Sequence, residues 1–310
     1  MSKKDYFPSG SEGALQGSDL NRYVANKERE IAEYLERFDA KSPPLDPGTV
    51  DYDFRNPDAV REQLGHVLDY GYRIETEVAR NVAEIAIVFH QLDPNNLRFI
   101  EIWEPQEVQH GIILGRAEEA MGRTPSDVNL EEVSTTVKIA GILTQCVPLV
   151  ERPIVANYLV TGASTEKGAT SLYSHIYDGL VGMGEKRFAD TGIAQIKKQE
   201  PGHFGFYRKQ YEWLRPQMSD WDMRLARGIK RLGNPNVFPG ATNKERKASL
   251  GRGVLQIVGD DGLNALSLPI ERLRAEMLEF KMKGGKIPRD GLKGLEEAVE
   301  LAQHMDAQAA

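Results

Sequence analysis

Along most of this chain apolar residues recur at the three-and-four spacing of an amphipathic helix, and no stretch keeps the strict alternation of a half-buried strand. A first helix is predicted over residues 21–38, rich in Glu, Arg and Lys, followed by a loop at residues 42–48 (SPPLDPG). Asn56-Pro57-Asp58 pairs a capping side chain with proline in the first turn and opens a second helix that runs to about His90. LDPNN is expected to close it. Another helix is predicted from about Leu97 to Met121, ended by the turn at residues 122–127. From Leu130 to about Gly184 the pattern gives one or two helices, most apolar between Ile139 and Val150 and bent near Thr161-Gly162. A further helix spans Glu185 to about Leu214. Beyond Arg231, LGNPNVFPGATNK reads as a loop and residues 245–306 as three short helices. With no hairpin signal and no internal repeat, the fold class is all-α. The expected layout is a flexible arm (1–20), a helical domain (21–235) and a C-terminal helical extension packed on it (236–310).

Length allows a sizeable core: 310 residues suit one large helical domain with an appendage. The single cysteine, Cys146, excludes an intrachain disulfide, suits a reducing compartment and is expected to fill the core. No apolar run approaches a membrane span and the first 20 residues lack a signal peptide's apolar block, so a soluble cytoplasmic protein is expected. A formal net charge of −7 argues against nucleic acid as the main partner. GRGVLQIVGDDG has glycines without a phosphate-loop or dinucleotide spacing, and implies no cofactor.

Two Glu-x-x-His pairs, Glu107/His110 and Glu200/His203, change this picture. Three residues along a helix bring a side chain back to nearly the same face, so each pair can offer one metal ion a carboxylate oxygen and an imidazole nitrogen. At ordinary glutamate frequency, six histidines produce about 0.4 such pairs by chance, so one would carry little weight and two carry more. Two lone glutamates complete the set: Glu77 on the helix before the first pair, and Glu166 on the helical pattern between the pairs. The alternative is a row of solvated helix carboxylates and two ordinary histidines. His66, His90, His175 and His304 lack a glutamate three residues earlier and read as structural.

The run Trp103-Glu104-Pro105-Gln106-Glu107-Val108-Gln109-His110-Gly111 resembles the first iron motif of the soluble acyl-carrier-protein desaturases, and Glu200-Pro201-Gly202-His203-Phe204-Gly205-Phe206-Tyr207 resembles the second. Glu166-Lys167-Gly168-Ala169-Thr170 resembles the stretch around that family's bridging glutamate, and Glu75-Thr76-Glu77 its first ligand position. Glu75 and Glu84 share that helix; Glu77 is preferred because it follows Thr76. The resemblance covers about residues 60–215. It implies a ferritin-like four-helix bundle with additional helices, two iron ions (Fe2+/Fe3+) held by Glu77, Glu107, His110, Glu166, Glu200 and His203, and O2 as co-substrate. Manganese also fits the ligand types. Two positions depart from the family. Gln199 stands where an aspartate usually precedes the second motif, and Ala169 holds a place often taken by threonine, leaving Thr170 to face the oxygen pocket. Pro201 inside the second pair predicts a kink or bulge at the metal.

The implied activity is a desaturase acting on a carrier-bound acyl chain, with a ferredoxin-type electron donor and a homodimeric assembly. Acidic carrier docking is assigned to Arg224, Arg227, Lys230 and Arg231, with Lys244, Arg246 and Lys247 as a second candidate. Trp103, Trp213 and Trp221 read as core or rim aromatics, Trp103 also as an electron-path candidate. The alternatives are a tailoring hydroxylase or N-oxygenase, the latter disfavoured by Ile196 where an extra histidine ligand would stand, and a non-catalytic ferritin-like metal binder.

Overall fold

The computed structural model describes residues 17–89, 93–130, 133–232, 243–259, 262–279 and 289–309, and no strand occurs among them. The helices are α1 (Ser18–Lys41), α2 (Pro57–Thr76), α3 (Val78–Val88), α4 (Pro94–Ala120), α5 (Thr135–Cys146), α6 (Pro148–Gly182), a single turn α7 (Lys186–Phe188), α8 (Ala194–Leu214), α9 (Asp220–Leu232), α10 (Lys244–Val258), α11 (Leu263–Met277) and α12 (Asp290–Ala309). The all-α expectation holds. The expected arm is helical from Ser18 onward, with residues 1–16 outside the described residues; so are His90, residues 233–242 of the expected loop, and the boundary at 235/236.

Proline and its caps set several helix starts, and they explain two departures from the expected boundaries. Asn56 accepts a hydrogen bond from the Ala59 amide with Pro57 next in line, as predicted for α2. The same device recurs at Asp93, whose side chain accepts from the Asn95 and Asn96 amides ahead of Pro94. The part of LDPNN described here therefore launches α4 instead of closing its predecessor. Val147-Pro148 divides α5 from α6: a residue before proline is driven out of the helical region, and Val147 is extended at φ −132°. No break occurs at Thr161-Gly162, and α6 runs as one helix along α8.

Two helix pairs, α2 with α4 and α6 with α8, meet across a buried polar layer. On one side of that layer lies an apolar cluster containing Leu35, Phe99, Trp103, Leu159, Phe206 and Tyr211. On the other lies a cluster containing Leu64, Leu68, Ile113, Leu114, Ile176 and Ile196. Each such side chain contributes about 1.5–3 kcal/mol by leaving water, and together they keep the layer between them dry. A third cluster joins α10, α11 and α12 to Tyr70 of α2 through Leu250, Val254, Leu266 and Leu295. Gln256 of α10 also accepts from the His66 amide and donates to the Glu62 carbonyl. The C-terminal helices thus pack directly on α2.

Cys146 is exposed, contrary to the core role expected of it. It ends α5, whose Ile139, Ile142 and Leu143 also face outward, continuous with exposed Val147 and Leu149. Hydrophobic periodicity marks an apolar face without saying what covers it.

Candidate metal centre

Near the middle of the polar layer, α2 contributes Glu75, α4 contributes Glu107 and His110, α6 contributes Glu166, and α8 contributes Glu200 and His203. All six are buried. One oxygen or nitrogen atom from each of Glu107, Glu166, Glu200 and His203 lies within 4.8 Å of the others, and the same holds for Glu75, His110 and Glu200. Glu200 belongs to both groups. Close helix approach makes this possible. A Cβ at Gly111 would stand 2.6 Å from Thr76 Oγ1 and 3.1 Å from its backbone nitrogen, so glycine lets α4 meet α2 beside Glu75. Gly202 does the same on α8, where a Cβ would collide with the Phe38 ring of α1.

Two glutamines fix which nitrogen of each imidazole faces inward. Gln199 Oε1 lies 2.7 Å from His110 Nε2, and Gln106 Oε1 lies 2.7 Å from His203 Nε2, so the residue before each Glu-x-x-His pair holds the histidine of the other pair. Their amide orientation follows from their other bonds. Gln106 Nε2 donates to the Ser42 carbonyl and Gln199 Nε2 to the Pro43 carbonyl, which leaves each Oε1 as the acceptor facing a ring. Nε2 must then carry a proton in both histidines. Both Nδ1 atoms point into the cluster, and neither has a hydrogen-bond partner, like Glu75 Oε2, Glu107 Oε1 and Glu200 Oε1 beside them.

These orphaned acceptors fit a cation. His203 Nδ1 stands 2.9 Å from Glu107 Oε1, 3.6 Å from Glu200 and 3.7 Å from Glu166; His110 Nδ1 stands 3.5 Å from Glu75 and 3.6 Å from Glu200. Two atoms each about 2.1 Å from one ion and at right angles around it are about 3 Å apart. Without an ion, protons must screen the carboxylates. Burial pushes the Glu107 carboxyl well above the ordinary carboxylate range, and the Glu75 charge adds to the shift. Burial raises Glu200 too, against the pull of His203. Burial would lower the His203 imidazole, but the Glu107 charge, with the Glu166 and Glu200 carboxylates also close to its Nδ1, holds it well above its usual value. Glu75 behaves oppositely: despite burial, the adjacent Glu107 carboxyl and His110 imidazole and a hydrogen bond from Tyr173 hold it at about 2.

Glu77, the expected ligand, is not part of this group. It occupies the break between α2 and α3, where its carboxylate pairs with Arg80 at 2.9 Å and Arg246 at 2.7 Å and accepts from the Asn129 amide at 2.8 Å. Two residues along a helix turn a side chain through about 200°, so if Glu75 faces the cluster Glu77 faces away. Glu84 is also apart, 4.0 Å from Arg80. The sharing of Glu200 by both groups differs from the bridging position that the resemblance gave to Glu166. At Pro201, where a kink or bulge is expected, α8 remains helical, and a π-helical turn at Ala189–Ile193 precedes it.

The other expected site residues divide. Thr170 donates its hydroxyl to the Glu166 carbonyl at 3.0 Å. Beside Glu75 opens a cavity of about 90 Å3, mainly apolar, lined by Ala169, Leu172 and Tyr173 of α6 among others, and Thr170 is not in its wall. Of the four basic residues on α9, Arg224 and Arg231 are exposed, Arg227 donates to the Leu278 and Glu279 carbonyls, and Lys230 is half-buried. Among the second group, Arg246 is bound to Glu77 and Lys247 to Glu297. Trp103 stacks on Phe99, whose ring in turn meets His203 edge-on; Trp213 bonds Glu28 and Trp221 is exposed. His66 is pushed below its usual value by burial, while His175 bonds its own helix through the Ser171 carbonyl and His304 is exposed. Gln106 and Tyr173 carried no sequence signal of their roles, because their partners are distant in the chain.

Compared with family models, curated proteins and solved structures, the chain finds no match in any of the three.

Proposed function

We propose that this chain is a diiron, O2-dependent oxidoreductase of the desaturase type, with a ferritin-like helical core, acting on an alkyl or acyl chain. The observation that carries this reading is the overlap of two buried ligand groups at Glu200, with both histidine Nδ1 atoms unpartnered and turned inward. Glu75, His110 and Glu200 would hold one ion, and Glu107, Glu166, Glu200 and His203 the other. Iron in these positions, with O2 as co-substrate, would supply an oxidant able to take hydrogen from an unactivated C–H bond.

The chain's own residues support such chemistry in three ways. Four carboxylates balance the charge of two divalent ions, so loading a buried site leaves no net charge. Gln106 and Gln199 keep each imidazole in the tautomer whose Nδ1 lone pair is free, and Tyr173 holds Glu75 through a short hydrogen bond. The apolar walls of the cavity beside Glu75 exclude water and offer space to a hydrocarbon chain.

A ferredoxin-type reductant and a homodimer belong to this proposal, the latter with the exposed Ile139, Ile142 and Leu149 surface as its contact; delivery of the acyl chain on a carrier protein, which the resemblance implies, is tested against a free acid by the displacement experiment below. A second reading, a tailoring hydroxylase or related oxygenase on a small molecule, is favoured by one observation: Arg227 is tied to backbone carbonyls and Lys230 is half-buried, so the expected carrier-docking patch is reduced. The test is metal content per chain with Mössbauer spectra after anaerobic ferrous loading and oxygen exposure. Two irons with a coupled diferric signature are expected. Zero or one iron, or full loading in Glu107→Ala and His203→Ala, would end the proposal.

A further inference from the structure

The cavity beside Glu75 has a cation in its wall that no described carboxylate neutralises. It lies between α2, α6 and the C-terminal helices, with Leu172, Leu250, Val254 and Ile270 among its apolar walls and Arg274 in its lining. Arg274 is half-buried, and burial depresses its guanidinium's pKa. Its Nε donates to the neutral Ser164 hydroxyl at 3.1 Å, while Glu271 and Asp290 act on it only from beyond ion-pair distance among the described residues. Lys230, one helical turn beyond Arg227 on α9, lies outside the lining; burial and then the Arg274 charge push it down to about 8, against the pull of Asp290. A desolvated cation left without an anion is costly, and an apolar residue in its place would be more stable. Such an arrangement fits a ligand that brings the anion.

We propose that this cavity takes the alkyl chain of a small anionic amphiphile, a fatty-acid-like carboxylate or an alkyl phosphate, with its head at Arg274 and its chain running along Leu172 and Ile270 towards Glu75. Naming that amphiphile as the substrate rests on the oxidoreductase reading; its binding does not. A carrier-bound acyl thioester has no charged group at its junction with the chain and would leave Arg274 unmatched.

The test uses the full-length, metal-free chain and a fluorescent polyene fatty acid, displaced in turn by dodecanoate, dodecyl phosphate, dodecanol and a dodecanoyl carrier protein. Dodecanoate and dodecyl phosphate are expected to displace the probe at concentrations about tenfold or more below dodecanol, since one charge-assisted hydrogen bond is worth roughly that factor. Arg274→Met should weaken both acids by about tenfold and leave dodecanol nearly unchanged. Ile270→Trp, which fills the cavity, should abolish binding of all three, with circular dichroism reporting the fold of each variant. Dodecanol equal to dodecanoate, an unaltered Arg274→Met, an unaltered Ile270→Trp, or displacement by the carrier alone would overturn the proposal. Iron content of the same preparations reports separately on the metal centre, so acid binding without metal would sink the oxidoreductase reading and leave this one standing.

Discussion

Glu75 and Glu77 lie two residues apart, are both buried, and are assigned opposite roles here, so their amide variants make a sharp test. Glu77→Gln removes a charge that two arginines share, at 2.9 Å from Arg80 and 2.7 Å from Arg246. The Arg80 side chain is 9% exposed and that of Arg246 16%, so both would be left desolvated. Breaking a buried pair from one side costs about 3–5 kcal/mol. Glu84, 4.0 Å from Arg80, recovers part of this, which favours about 3 kcal/mol. At roughly 2 °C per kcal/mol for a chain of this size, Tm should fall by about 6 °C. Glu75→Gln differs in what it reports. It removes a carboxylate whose charged form the fold favours, so the metal-free protein should lose stability even though Tyr173 keeps an acceptor, and it should bind at most one metal ion. Calorimetry on both metal-free variants, paired with metal analysis, gives the four numbers needed. A Glu77→Gln protein that loses metal beside a Glu75→Gln protein that keeps two ions would refute the assignment.

Further outcomes follow from the same geometry. Gln199→Leu removes the acceptor for His110 Nε2 and should weaken metal binding by about 10- to 100-fold while leaving helicity intact, as read by competitive chelator titration; unchanged affinity would mean that the ring needs no support. Metal affinity should rise with pH through the neutral range, because Glu107, Glu200 and His203 all hold protons more tightly than usual and must release them to the ion; titration calorimetry in buffers of different ionisation enthalpy should find net proton release, and none would contradict the shifts. Lys230 has a folded value of about 8, below its ordinary 10.5, so its charged form destabilises the fold at neutral pH, and that penalty is relieved as pH rises from 8 towards 10.5. Lys230→Met should therefore stabilise the ligand-free protein by about 2 kcal/mol at pH 7, with the gain shrinking above pH 8; a destabilised variant would count against it. Ile142→Asp on the exposed face of α5 should leave the fold intact and lower the mass seen in light scattering if that face joins two copies, and an unchanged dimer would exclude it.

What the sequence disclosed follows the range of the interactions involved. Glu107 with His110, and Glu200 with His203, are legible because three-residue spacing on one helix is local information, and Glu166 because helix order leaves it between the pairs. The choice between Glu75 and Glu77 depends on how α2 is rotated towards its neighbours. That rotation is set by Gly111 meeting Thr76, a contact between residues 35 apart. Local proline chemistry was equally readable at Val147-Pro148 and Asp93-Pro94, but composition drew the boundaries elsewhere. Cys146 shows the complementary limit: an apolar stretch looked like core, and α5 carries more apolar surface than its neighbours cover.

Ser42 and Pro43, at the start of the connection from α1 to α2, contribute neither charge nor ligand. Through two adjacent carbonyls they nevertheless orient both glutamines, and through these the proton position on both histidines. The two halves of the cluster are thus referenced to one piece of main chain. Any displacement of that connection, whether by a substitution or by something docking on α1, would reach both halves together, in phase. A perturbation at the surface would then alter the pair as a unit, and would leave no way to retune one half while the other stays as it was.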